Sequence, residues 1–287
     1  MSGRGRIGLV GGSGVYDLAA IAGLREERME TPFGKPSDSY FTGMLGGVPV
    51  AFLSRHGRGH RLSPTEINYR ANVCGFKMLG CDALLSASAC GSLREEYAPR
   101  HAAVPTQFID RTRHREDSFF GGGVVAHAGL ADPVCPSLAE NLAAAAGQAG
   151  LTVHRDAVYV CMEGPQFSTR AESRLYRKWG ADVIGMTNLT EARLAREAEI
   201  CYASLALVTD YDCWREATED VSVEAIIAVL GENAAAARRT LSGAVAGVNP
   251  GRGCGCRDAM RFAIITDRAA IPESARERLQ PVAGRYL

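Results

Sequence analysis

The segment Ile7-Gly8-Leu9-Val10-Gly11-Gly12-Ser13-Gly14 is a short apolar run that breaks directly into a glycine-rich turn. The run reads as a buried strand, and the turn as the carboxyl end at which that strand delivers the chain. Glycines there let backbone N–H groups turn toward an anion, and Ser13 adds a hydroxyl donor. A plain tight turn is the simpler reading. A dinucleotide-binding loop fits less well, because Asp17 stands where G-x-G-x-x-G wants its third glycine and no P-loop lysine follows.

The same pattern recurs along the chain. Strands are expected at residues 48–53, 83–88, 104–109, 157–161, 183–186 and 202–208, with Pro49 and Pro105 better suited to a strand's start or edge. Helices are expected at 66–79, 136–149, 169–179 and 190–197, and an alanine-rich helix from about 223 to 248. Pro136 suits the first turn of its helix, and Ser222 suits the cap of the last one, with Glu224 in its first turn. Short apolar strands alternating with amphipathic helices give an α/β fold with a largely buried sheet. At 287 residues and 46% hydrophobic, the chain can bury one large core. We read a single domain over 1–287, with a core to about residue 250 and an irregular tail over 251–287 after Asn249-Pro250-Gly251. The charged stretch Arg111 to Glu116, followed by Gly121-Gly122-Gly123, reads as a polar loop.

Thirty-two basic and 32 acidic residues cancel, so no overall field draws the protein to nucleic acid or an anionic membrane. No apolar segment is long enough for a signal peptide or a membrane span, and nine cysteines in mostly apolar contexts suit a reducing compartment. A cytoplasmic enzyme is the expectation.

Four further motifs carry candidate chemistry. Arg55-His56 follows the strand at 48–53 and offers a planar fork and an imidazole to a tetrahedral oxyanion, or else forms a solvated basic loop with Arg58 and Arg61. Ser86-Ala87-Ser88-Ala89-Cys90-Gly91 ends another strand in small residues, which admit a ligand to the backbone or simply pack tightly. Glu163-Gly164-Pro165-Gln166-Phe167-Ser168 supplies an aromatic ring for stacking or core filling, and Met186-Thr187 sets a hydroxyl at a strand end. Asp210 and Asp212, in Thr209-Asp210-Tyr211-Asp212, point to the same side if the strand continues, so at least one carboxyl holds its proton more tightly. Such a group can donate a proton near neutral pH; a turn or capping pair is the plainer alternative.

Together, Arg55-His56-Gly57, Asn68-Tyr69-Arg70-Ala71-Asn72, Ala89-Cys90-Gly91-Ser92-Leu93-Arg94-Glu95-Glu96, Phe108-Ile109-Asp110-Arg111-Thr112, Glu163-Gly164-Pro165, Arg170-Ala171-Glu172-Ser173 and Thr209 to Trp214 resemble one family. These are the S-methyl-5′-thioadenosine phosphorylases, of the trimeric class of the purine nucleoside phosphorylase superfamily. The resemblance implies a mixed, partly barrel-like central β-sheet flanked by helices, and a reaction in which phosphate cleaves 5′-methylthioadenosine to adenine and 5-methylthioribose 1-phosphate, in purine and methionine salvage. It implies phosphate on Ser13, Arg55, His56, Ser88, the backbone of Ala89, and Thr187. It puts the ribose against Met186, the purine against Phe167 and Ser168 with Asp210 and Asp212 at its edge, and Val223 beside the 5′-methylthio group. His127 would reach the 5′ pocket of a neighbouring subunit, making the active form a trimer or a dimer of trimers. Asp210 is the catalytic residue so implied, protonating N7 of the leaving base. Ser168 and Asp210 stand where 6-oxopurine enzymes of the superfamily carry glutamate and asparagine, which favours adenine.

No metal or organic cofactor is expected; inorganic phosphate is a co-substrate. Cys254-Gly255-Cys256 can be half a zinc site, a C-x-C disulfide or two free thiols, and no second closely spaced Cys or His pair completes a metal site. Heat-stable archaeal relatives form disulfides in a similar tail, so the resemblance also allows pairing with each other or with Cys201.

Overall fold

The computed structural model describes residues 5–12, 20–215, 223–248 and 254–287. Its strands are β1 (Arg6–Gly11), β2 (Ala22–Glu27), β3 (Tyr40–Leu45), β4 (Val48–Ser54), β5 (Cys81–Ser92), β6 (Ala102–Arg111), β7 (Val153–Met162), β8 (Val183–Gly185) and β9 (Cys201–Tyr211). Six helices pack around them: α1 (Tyr69–Met78), α2 (Pro136–Gln148), α3 (Arg170–Lys178), α4 (Asn188–Glu197), α5 (Val223–Gly247) and α6 (Glu273–Ala283). Every strand and helix expected from the apolar pattern forms. Ser222 and its expected cap lie outside the described residues.

The strands make one mixed sheet in the order β2-β3-β4-β1-β5-β8-β7-β6-β9, and β9 pairs again with β5. β5, β8, β7, β6 and β9 therefore close on themselves as a partial barrel, while β1 to β4 extend as an open wing. Where wing and barrel meet, β4, β1, β5 and β9 are adjacent and parallel, so their carboxyl ends emerge side by side. Gly11 is level with Ser54 and with Ala87, and Gly91 is level with Asp210. That shelf is where parallel strands present side chains to ligands.

Both prolines are accommodated without an edge position. Pro49 is the second residue of β4, opposite Met44 and one residue before β4 begins to pair with β1, and Pro105 falls where the β6–β7 register shifts.

The core follows from the helical stripes. On α5 the buried residues Val229, Asn233, Ala236, Ala237, Thr240, Leu241 and Ala244 recur every three or four positions. Small residues let α5 approach α2 closely enough for Asn141 Nδ2 to donate to the Ala244 carbonyl at 2.8 Å. Leu142 and Leu241 are almost fully buried there, each worth roughly 1.5–3 kcal/mol of transferred apolar surface. Inside the barrel a second cluster, including Cys90, Ala157, Tyr159, Val183, Ala206 and Val208, fills the space between the closing strands.

The residues from 254 onward differ from the irregular tail expected. They contain α6, whose Ala275, Leu279 and Val282 are buried at i, i+4 and i+7 against the main core. Arg285 and Tyr286 both reach Glu199, each at 2.7 Å, and tie the segment down. Among the described residues no helix is long and apolar enough to cross a membrane.

Candidate active site

The shelf formed by β4, β1, β5 and β9 carries most of the residues expected to bind ligand. Arg55 follows β4, Ser88 and Ala89 lie on β5, Thr187 precedes α4, and Asp210 and Asp212 lie at the end of β9. Ala89 is exposed although its backbone pairs with Leu207 of β9, so the sheet surface is open at that point.

At the β5–α4 edge, Asn188 gathers the hydroxyls. Its Oδ1 accepts from Ser88 Oγ at 2.9 Å, Thr187 Oγ1 at 3.1 Å and Tyr159 Oη at 3.3 Å. With that oxygen committed, Asn188 Nδ2 is buried and has no partner among the described residues. Gly185 makes the arrangement possible, since a Cβ there would lie 1.9 Å from the Tyr159 hydroxyl. Thr187 and Asn188 also open α4, where unpaired N–H groups and the helix dipole favour negative charge. Asn188 is absent from the residues expected to bind phosphate, and no spacing in the sequence marks it.

Arg55 is neither the free fork nor the solvated loop residue that the sequence allows. Its side chain is 2% exposed and bound on several edges: Nε and Nη2 donate to Glu191, Nη2 to Ser86 Oγ at 2.6 Å, and Nη1 to the Ala87 carbonyl at 3.2 Å. Burial works against the charge, but Glu191 outweighs it and holds the guanidinium's pKa above its ordinary value. Glu191 is shared in turn by Ser86 Oγ and Tyr202 Oη, at 2.8 and 2.9 Å. One Nη1 hydrogen is not engaged by these partners.

His56 is also more constrained than expected. Nδ1 lies 2.9 Å from the Leu62 carbonyl and donates to it, leaving Nε2 as the acceptor in the neutral ring. Burial, reinforced by the neighbouring Arg55, pushes its pKa down to about 4. It becomes a donor at Nε2 only when something negative restores a proton to the ring.

The carboxyl pair sits as the strand geometry demands. A Cβ at Gly91 would lie 3.7 Å from Asp210 Oδ2 and 3.4 Å from Asp212 Cβ, so both residues border the same spot. Asp210 accepts from Thr209 Oγ1 at 2.6 Å; burial raises its pKa, with Asp212 adding to the shift. Burial raises Asp212 as well, with the Ser173 hydroxyl and the Cys213 amide close enough to pull against the shift, and its enclosed Oδ2 completes no hydrogen bond of normal geometry among the described residues.

The segment after β7 closes over this end. Gly164, at φ +73°, passes so near Met186 that a Cβ would meet its sulfur at 2.6 Å, a contact only glycine permits. Ser168 lies beside the end of β9, its carbonyl accepting from Cys213 Sγ at 3.3 Å. Phe167 is 82% exposed, so it does not fill the core.

The charged stretch from Arg111 to Glu116 is the polar loop expected, but one of its arginines turns inward. Arg115 is buried, donating to the Met186 carbonyl at 3.0 Å, Tyr69 Oη at 2.8 Å and the Glu163 carbonyl and carboxylate at 2.7 and 2.9 Å. Although burial works to raise it, the Glu163 pKa is drawn down to about 2 by Thr65, the Arg113 amide and Arg115. Arg115 and Glu163 thus hold the Met186 segment; neither is among the expected site residues, though the Glu163-Gly164-Pro165 motif was a signal for one of them.

Three expected residues stand apart. Ser13 lies outside the described residues, as does the side chain of Val223 at the start of α5. His127 is on the surface, its N–H donating to the Ala263 carbonyl at 2.8 Å, and it bonds to none of the described shelf residues.

Comparison with known proteins agrees with this geometry. The family model described as "Phosphorylase superfamily" matches residues 6–246. S-methyl-5′-thioadenosine phosphorylase of Geobacter sulfurreducens is 57% identical over 282 residues, covering 98% of this chain and 99% of the relative. The corresponding protein of Koribacter versatilis is 52% identical over 284 residues, covering 99% and 97%. Among solved structures, a methylthioadenosine phosphorylase sourced from an antarctic soil metagenomic library superposes with a TM-score of 0.93 at 45% identity, covering 98% of this chain and 99% of that one. With this near-complete alignment and superposition, the chain belongs to the S-methyl-5′-thioadenosine phosphorylases of the phosphorylase superfamily.

Proposed function

We propose that the protein uses inorganic phosphate to cleave the N9–C1′ bond of 5′-methylthioadenosine, releasing adenine and 5-methylthioribose 1-phosphate. The observation that carries this reading is a complementary pair of unsatisfied buried groups on one shelf. Asn188 Nδ2 is a donor on the amide whose Oδ1 holds Ser88, and Asp212 Oδ2 is an acceptor on a side chain whose Cβ borders Gly91, where Asp210 Oδ2 also faces. Ser88 and Gly91 are three residues apart on β5, roughly 10 Å along an extended strand. A phosphate at the first point and an adenine edge at the second match that span, with the ribose between them near Met186. Each buried orphan costs about 1–3 kcal/mol while unmade, so ligand bonds there are favoured.

Phosphate is assigned to Ser88, the Ala89 backbone, Thr187, the remaining Nη1 hydrogen of Arg55, His56, and Ser13 of the glycine-rich turn. A dianion beside His56 favours its protonation and makes Nε2 a donor. Departure of the base leaves positive charge on the ribose and negative charge on the purine. Phosphate stabilises the first and captures C1′, while Asp210, its pKa raised by burial, meets N7 with a proton or hydrogen bond. The chemistry invoked uses only these groups and phosphate. Phe167 is assigned to the open face of the purine, Ser168 and Asp212 to its edge, and Val223 to the 5′ group.

The active form is taken to be a homo-oligomer, a trimer or a dimer of trimers. Supporting this, Val125, Phe262 and Ile265 are exposed apolar side chains around His127, with Phe262 86% exposed. Ile265 N donates to the Val125 carbonyl, so the patch is one paired surface. A cytoplasmic location accords with nine unpaired cysteines and a balanced charge.

Turnover of 5′-methylthioadenosine, 5′-methylthioinosine and inosine, each with and without phosphate, tests the assignment. Phosphate-dependent release of adenine is expected, with inosine the poorest substrate. Equal turnover of inosine removes the assignment of adenine to the Asp210–Asp212 edge, and release without phosphate removes phosphorolysis.

A further inference from the structure

The end of β9 opposite Asp210 holds a cluster that the proposed reaction does not use. Cys135, Cys201, Cys254 and Cys256 bring four sulfur atoms within 4.8 Å of one another, and Cys201 and Cys254 are 3.5 Å apart. They come from three separate segments. Cys135 precedes α2 as its N-cap, Cys201 opens β9, and Cys254 and Cys256 begin the segment that leads to α6. A backbone bond from Cys135 N to the Tyr202 carbonyl, 2.9 Å, locks the first two together.

We infer that these four cysteines form a closed tetrathiolate site for a soft divalent metal ion, with zinc its expected occupant. Tetrahedral zinc with sulfur at about 2.3 Å sets its ligands roughly 3.8 Å apart, which is the spacing class of this cluster. Four sulfurs fill the four positions of a tetrahedral ion, and three of the four cysteines are buried with Cys254 half-buried. A closed four-sulfur set is the pattern of a structural site and not a catalytic one. The Cys254-Gly255-Cys256 pair lacked a partner pair in the sequence; the fold supplies one from residues 66 positions apart, at 135 and 201.

The occupied site would staple the segment carrying α6 to the root of β9 and to α2. Zinc binding displaces thiol protons to solvent and changes no oxidation state, so it needs no redox partner.

Metal content of the full-length protein, purified in reductant without chelator, tests the inference directly. About one zinc per chain is expected, falling to background in the double variant Cys254→Ser/Cys256→Ser. Because metal can be lost in purification, stripped protein is also offered zinc alone and then cobalt alone, under reductant. Stoichiometric uptake, thiolate-to-cobalt charge-transfer bands and a melting temperature higher by roughly 5 °C or more are expected, all absent in the variant. Failure of stripped, reduced wild-type protein to take up either ion overturns the proposal. So does a denatured thiol count, taken before any reductant is added, that falls four short of nine, because two disulfides would then consume the ligands.

Discussion

The two ends of β9 differ in almost every physical respect. At Cys201 the strand begins among sulfur atoms that lie close together and largely shielded from water. At Asp210 it ends among carboxyls, hydroxyls and a buried ion pair, several of them short of a partner. One end is complete once its four ligands meet, so its contribution is stability. The other is left incomplete within the chain, so its contribution is affinity and catalysis. A strand spanning both explains how a rigid core can hold unsatisfied groups in place.

Breaking the ion pair under the polar end is expected to have the largest effect. Glu191→Gln leaves Arg55 charged, buried and without its counterion, which costs about 3–5 kcal/mol in unfolding free energy. Denaturant unfolding measures it, and a loss below about 1 kcal/mol would show that the pair is not what secures that end. Next in size is Asp210→Asn, motivated by the raised carboxyl beside Gly91. The rate on 5′-methylthioadenosine should fall by about 100-fold with the melting temperature little changed. A steady-state rate within threefold of wild type takes Asp210 out of the mechanism.

At the sulfur end the pattern should invert. Cys201→Ser is expected to lower the melting temperature by roughly 5 °C while the rate stays within about twofold. A tenfold fall in rate at unchanged stability would dissolve the contrast between the two ends. The smallest effect concerns His56, whose folded pKa of about 4 lies below the ordinary value of 6.5. Between those values the unfolded chain takes a proton that the folded chain refuses. Stability present above pH 6.5 is therefore lost as the pH falls toward 4, by up to about 1.4 kcal/mol per pH unit. Comparing unfolding of wild type and His56→Asn at pH 6.5 and 5.5 isolates this share; identical slopes would place the imidazole in water.

The strands of the barrel and the shelf were legible in the sequence because they are buried and apolar, while their partial closure into a barrel was implied by the family resemblance alone. β2 was not, since Ala22 to Glu27 is exposed along most of its length and held by pairing with β3 rather than by a buried face. α6 was missed for a different reason. Ala275, Leu279 and Val282 do follow a helical period, but Pro281 and the preceding glycines and prolines masked it. In the site, residue types were readable and their commitments were not. Arg55 and His56 look like available donors until Glu191, 136 residues from Arg55, and the Leu62 carbonyl are seen to occupy them. Arg115 looks solvated until Glu163 and Tyr69 surround it. Sequence spacing carries no sign of such distant partners, nor of Cys135 and Cys201 completing the C-x-C pair.

The Arg55–Glu191 pair also bears on how phosphate would be chosen from among other anions. With the guanidinium charge already answered inside the protein, an incoming anion meets a pocket close to electrical neutrality. Attraction across solvent then counts for little, and selection rests on the fixed directions of hydroxyl, amide and imidazole donors. Added salt, which weakens long-range attraction but not short directional bonds, should leave such a site largely indifferent.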